Sequence, residues 1–86
     1  MIIGKVIGSI VSTRKQDNLV GNKFMVIEPI NTMNGEHKQL VAIDNIGAGI
    51  GEIVLVALGS AARVGGAETA PIDAAIVGIV DDCSEL

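Results

Sequence analysis

The sequence predicts an all-β fold, a small five-stranded OB-like antiparallel barrel with at most a short helical turn. Three observations carry the prediction. Five short segments are rich in Val and Ile, turn signals of Gly, Asn and Pro separate them, and no stretch holds a long helical period. At 86 residues the chain reads as a single domain over 1–86, in the size range where one core forms with a small margin of stability.

The first strand is expected from Ile2 to Thr13, with Gly4, Val6, Gly8 and Ile10 on one face and Ile3, Lys5, Ile7 and Val11 on the other. Neither face is polar, so both should meet something. A polar turn over Arg14 to Asn18 leads through Leu19-Val20-Gly21 to a second strand, Asn22 to Glu28, ended by Pro29. Asn34-Gly35 is a hairpin signal, and the pattern resumes from His37 to Asp44 as strand three. Strand four spans Ile50 to Gly59, and strand five Ala75 to Val80. Between them, Ser60 to Pro71 reads as a surface loop of small residues, with a short helical turn near Pro71-Ile72-Asp73-Ala74. An acidic tail follows from Asp81 to Leu86.

A barrel has one interior, so a strand such as Ile53 to Leu58, apolar on both faces, needs its outward side covered from elsewhere. The chain has little spare length for that, which makes another subunit the expected cover.

Composition narrows the function. The formal net charge is -4 and the only aromatic residue is Phe24, whereas nucleic-acid binders carry basic surfaces and single-strand binders add stacking rings. Nucleic acid is therefore not an expected partner. No apolar run approaches the ~20 residues of a membrane span, and Met1 to Lys5 does not read as a secretory signal, so the expected location is cytoplasmic, away from the membrane. The single cysteine, Cys83, lies among acids and reads as an unreactive thiol.

The stretch Gly47-Ala48-Gly49-Ile50-Gly51-Glu52 invites comparison with phosphate-binding loops, but its glycines precede a strand. A Rossmann or Walker loop opens a helix whose N-terminus holds the phosphates. A structural turn is the better reading. His37 has no second ligand at zinc-binding spacing, and Ser60 lacks the strained turn that presents a hydrolytic nucleophile, so no metal, cofactor or catalytic residue is expected. The carboxylates Asp44, Glu52 and Asp73, with Arg63, flank apolar segments where a shielded charge needs a partner or hydrogen bonds. They read either as intersubunit ion-pair candidates or as ordinary solvated turn charges.

Five motifs in order carry a resemblance. They are Ser12-Thr13-Arg14-Lys15, Leu19-Val20-Gly21-Asn22-Lys23, Val41 to Glu52, Gly59-Ser60-Ala61-Ala62-Arg63 and Pro71 to Asp81. Together they resemble the bacterial microcompartment vertex proteins, the family of the carboxysome and ethanolamine-utilisation pentamers. Ala61 stands where that family often has a second serine, and Glu28 precedes Pro29 where glutamine is common. The resemblance implies a structural protein rather than an enzyme: a homopentamer closing the five-fold vertices of a cytoplasmic polyhedral shell tiled by hexameric shell proteins. The candidate subunit interface is then Ser12, Thr13, Gly47, Gly49, Gly51, Glu52, Ser60, Arg63 and Asp73. The alternative, from a different class, is an OB-like module binding single-stranded nucleic acid or a small ligand on its barrel face.

Overall fold

A computed structural model describes residues 1–11, 15–30, 38–64 and 70–81. Its strands are β1 (Ile2–Ile10), β2 (Lys23–Pro29), β3 (Leu40–Asp44), β4 (Ile53–Leu58) and β5 (Ala74–Ile79). They close as β1-β2-β3-β5-β4, with β4 pairing back onto β1. Four seams are antiparallel, and β3 meets β5 in parallel through Ile43 opposite Ala75 and Asp44 opposite Ile76. The expected barrel is present, but its strands are not all antiparallel. Neighbours in a ring of five cannot alternate direction all the way round, so at least one seam must be parallel. That seam falls between β3 and β5 because β4 and the chain after it supply the crossover that parallel strands require.

Strand boundaries depart from expectation where the backbone turns. The stretch Ile50 to Glu52 belongs to a turn before β4, and residues 38 and 39 lie ahead of β3, which begins at Leu40. The Asn34-Gly35 signal and His37 lie outside the described residues, although β2 and β3 do pair antiparallel as a hairpin would. No helical turn forms at Pro71 to Ala74. Gly59 N–H donates to the Asp73 carbonyl (2.7 Å) and Leu58 pairs with Ala74, so β4 holds that segment extended. The 3-10 helices lie instead at Asp17–Leu19 and Gly59–Arg63, the latter running from Gly59, the expected end of strand four, into the segment expected to be a surface loop.

β1 also breaks its expected alternation. Val6 pairs with Ile27 and Gly8 with Val26, which leaves Ile7 as the extra residue of a bulge. Gly4 and Val6 face inward, but Gly8 and Ile10 pair with the outward residues Val26 and Phe24. The four residues assigned to one face therefore divide between two. A one-residue slip exchanges faces because the strand period is two.

Two apolar clusters result. The barrel interior is filled by Val6, Met25, Ile27, Ala42, Val54, Val56, Ala74 and Ile76, with Ala48 plugging one end. A second cluster lies outside the β3–β5 seam, where Ala62, Ala70 and Ile72 cover Ile43 and Ala75, with Leu19 and Phe24 alongside. The other outward face, over β1 and β4, has no such cover among the described residues. Ile3 stands beside Leu55 there and Lys5 beside Ile53, with Ile3, Ile53 and Leu55 half-buried and Ile7 exposed. No helix of the described residues is long and apolar enough to cross a membrane.

Candidate functional site

Described interface candidates fall into two groups, one at each end of β4. The first is the turn from Asp44 to Glu52. Asp44 faces the end of the barrel interior and is 2% exposed, so its carboxylate must find donors or incur a large desolvation penalty. It finds three in its own loop. One oxygen accepts from the backbone N–H of Ile46 (3.0 Å) and Gly47 (3.1 Å), the other from Ala48 (2.8 Å). Successive N–H groups converging on one anion make a nest, here filled by a side chain of the same chain. Asp44 is thus the internal anchor of the turn, and its intersubunit ion-pair reading is corrected: the group is buried and its oxygens are engaged.

Glycines serve this turn in two ways. Gly47 (φ 86°) and Gly51 (φ 94°) occupy the left-handed region that a side chain disfavours. Gly49 does not. A Cβ there would lie 3.2 Å from the Glu52 Oε1, which accepts the Gly49 N–H, so Gly49 makes room for the carboxylate folded back over it. The turn is tied to β1 by Gly51 N–H to the Val6 carbonyl (2.7 Å) and Val6 N–H to the Glu52 carbonyl (3.0 Å). It presents Ile46 and Ile50 outward, the latter 67% exposed.

Ser60, Arg63 and Asp73 form the second group, beyond the far end of β4. The Arg63 guanidinium donates to the Ile72 carbonyl (3.1 Å), and Gly59 N–H holds the adjacent Asp73 carbonyl. Ala62 and Ile72 are buried beneath this clamp, while Ser60 and the Asp73 side chain are exposed. Six residues of strand, about 20 Å, separate the two groups. One compact patch cannot contain both. Ser12 and Thr13 lie outside the described residues.

Sequence reasoning missed the outer cluster. Its signal was the pairing of small residues, Ala62 and Ala70, with large ones, Ile43 and Ile72, across a segment whose Gly and Ala content otherwise suggests a loop. No group of three or more metal-ligating side chains occurs among the described residues. Among the described residues, shallow grooves mark the surface in at least two places. One of about 270 Å³ is lined by Ser9, Ile10, Val11, Lys15, Asn22, Lys23, Phe24 and Met25 at the end of the β1–β2 ribbon. Another, about 180 Å³, lies against Val41, Phe24, Ile72 and Asp73.

Comparison with known proteins places this arrangement. Residues 1–81 match the family described as ethanolamine utilisation protein EutN/carboxysome. The chain is 44% identical over 86 residues to the carboxysome shell vertex protein CcmL of Gloeobacter violaceus, covering 98% of this chain and 86% of that protein. It is 46% identical over 83 residues to the bacterial microcompartment shell vertex protein GrpN of Rhodospirillum rubrum, covering 94% and 93% of the two chains. The solved structure of the Gloeobacter CcmL superposes with a TM-score of 0.86 over 98% of this chain and 89% of that one. That of the Rhodospirillum GrpN, a pentameric microcompartment shell protein, is 43% identical and superposes with a TM-score of 0.83 over 100% of this chain and 99% of its own.

Proposed function

The chain belongs to the EutN/CcmL family, and on that premise we propose that it is a structural shell protein whose homopentamer caps the five-fold vertices of a polyhedral bacterial microcompartment. One observation of the fold supports the proposal most directly. The barrel seals its interior, yet the β1–β4 outer face keeps Ile3, Ile53 and Leu55 only half-buried beside the exposed Ile7. Among the described residues nothing covers them, and a neighbouring copy is the natural cover.

Five-fold symmetry supplies the functional logic. A flat layer of hexamers has no curvature, and closing it into a polyhedron requires five-fold positions. A closed ring repeats one heterologous contact, which uses two different surfaces of each subunit. Candidate residues at opposite ends of β4 suit such a contact: Gly47, Gly49, Gly51 and Glu52 shape one surface, Ser60, Arg63 and Asp73 the other, with Ser12 and Thr13 proposed beside them. The partners are further copies of this chain and hexameric shell proteins, in the cytoplasm. The role is structural rather than catalytic, with neither nucleic acid nor membrane as a partner.

Native mass spectrometry tests this reading. The expected species at micromolar concentration is five times the chain mass. A monomer or dimer there, with retention on single-stranded oligonucleotide at low salt, would instead select the OB-like binding module.

A further inference from the structure

The two surfaces joined around the ring can be chosen by charge and shape. This step rests on the pentamer reading above. Beyond the bulge at Ile7, β1 pairs with β2 as far as Ile10, whereas its pairing with β4 ends at Lys5, so the two strands run on as a ribbon past the β4 seam. The groove of about 270 Å³ lies at the end of that ribbon. Its wall includes Ile10 and Phe24, Val11 beside them is 89% exposed, and the exposed Lys15 and Lys23 stand at its rim. From residue 9 to 27 the sequence holds three cations, Arg14, Lys15 and Lys23, against one acid, Asp17.

The β1–β4 outer face is the complement. Its centre is apolar, with Ile3 beside Leu55 and Ile53 next along β4. Val80 N–H donates to the Ile53 carbonyl (2.8 Å), so the exposed Asp81 leaves the barrel at this rim. Among the described residues, the side-chain charges nearest it on these strands are Lys5 and, across from it on β2, Glu28, with the Met1 ammonium at the start of β1. From residue 64 to 86 the sequence has five acids and no cation. The smaller groove, beside Val41 and Ile72, carries Asp73 at its edge and would set like charges together.

We infer that the β1–β4 outer face of one subunit, with Asp81 at its rim, seats on the β1–β2 ribbon groove of the next, bringing Asp81 toward Lys23 and Lys15. Apolar contact supplies the adhesion, and the opposite charges select the orientation. Both surfaces belong to the same chain and they differ, as a heterologous ring contact demands.

A cross-linking experiment on the full chain tests the contact. In a Cys83→Ser background, Ile53→Cys is combined with Val11→Cys and treated with a short bismaleimide. Lys5 pairs with Ile53, and Val11 lies six residues further along β1, about 20 Å away, so a short linker cannot join the two thiols within one subunit. The expected product is a denaturing-gel ladder ending at five subunits, absent from either single-cysteine variant. A preparation that native mass spectrometry shows to be pentameric but that yields no ladder overturns the contact and leaves the vertex reading intact; absence of the pentamer overturns both. Charge reversal gives a second measurement should the cysteines disturb folding. Lys23→Glu or Asp81→Lys alone should raise the concentration for half-assembly by about tenfold, and the two together should return it to within about threefold of the parent. Losses that simply multiply in the combined variant overturn the pairing.

Discussion

The segments that flank β4 are built on opposite plans. Before β4, residues 45–52 bury little side-chain volume and, apart from the two backbone bonds of Gly51 and Glu52 to Val6, are held by hydrogen bonds reaching two to four residues: Asp44 to Ile46, Gly47 and Ala48, and Glu52 to Gly49. After it, the 3-10 helix Gly59–Arg63 is held by groups far along the chain. Arg63 reaches nine residues to the Ile72 carbonyl, and Ala62, Ala70 and Ile72 pack on Ile43 and Ala75. The first is stabilised by local electrostatics and the second by burial that exists only once the barrel has closed. Local bonds can form early and persist, while the outer cluster gains its stability with the whole fold.

Substitution can break this contrast. Asp44→Ala should have the largest effect, about 3–5 kcal/mol in chemical denaturation, because three buried or part-buried N–H groups lose one charged acceptor. Asp44→Asn, which keeps one acceptor oxygen, should recover part of that. A loss below about 1 kcal/mol for the alanine variant would remove the carboxylate as the turn's anchor.

Ile72→Ala comes next, at about 2–4 kcal/mol, the range for truncating a large buried aliphatic. Hydrogen exchange sharpens the result. Protection should fall in residues 59–63 and in β5 while the turn over 46–51 stays protected; equal loss in both would show that the two segments are not independent.

The smallest effect separates two glycines of one motif. Gly51→Ala forces a side chain into the left-handed region and should cost about 1–2 kcal/mol. Gly49→Ala meets only a carboxylate oxygen that can shift, and should cost less than about 1 kcal/mol. Thermal melts of the two variants side by side give the order. The reverse order would place the strain at Gly49.

This contrast also explains what could be read in advance. The turn was legible because Asp44 and the glycines at 47, 49 and 51 are neighbours in the sequence, and a shielded carboxylate demands nearby donors. That Asp44 satisfies this demand internally, rather than across a subunit boundary, followed from which way the end of β3 faces. The outer cluster was not legible. Ala62, Ala70 and Ala75 carry no periodic signal, and small residues read as loop until a partner such as Ile43 is brought over them.

By itself the sequence determined the five strands, the two-sided apolar character of β4 and the family to which the chain belongs, because period-two patterning, turn chemistry and ordered motifs are local properties of the chain. Only the tertiary structure decided the parallel β3–β5 seam, the bulge at Ile7 that turns Gly8 and Ile10 outward, and the division of apolar surface between a covered outer cluster and a β1–β4 face without such cover among the described residues. The parallel seam follows from closing an odd number of strands into a ring, while the bulge and the outer cluster follow from the register and the neighbours that closure brings together. Closure sets which residues become neighbours, and no local pattern records it.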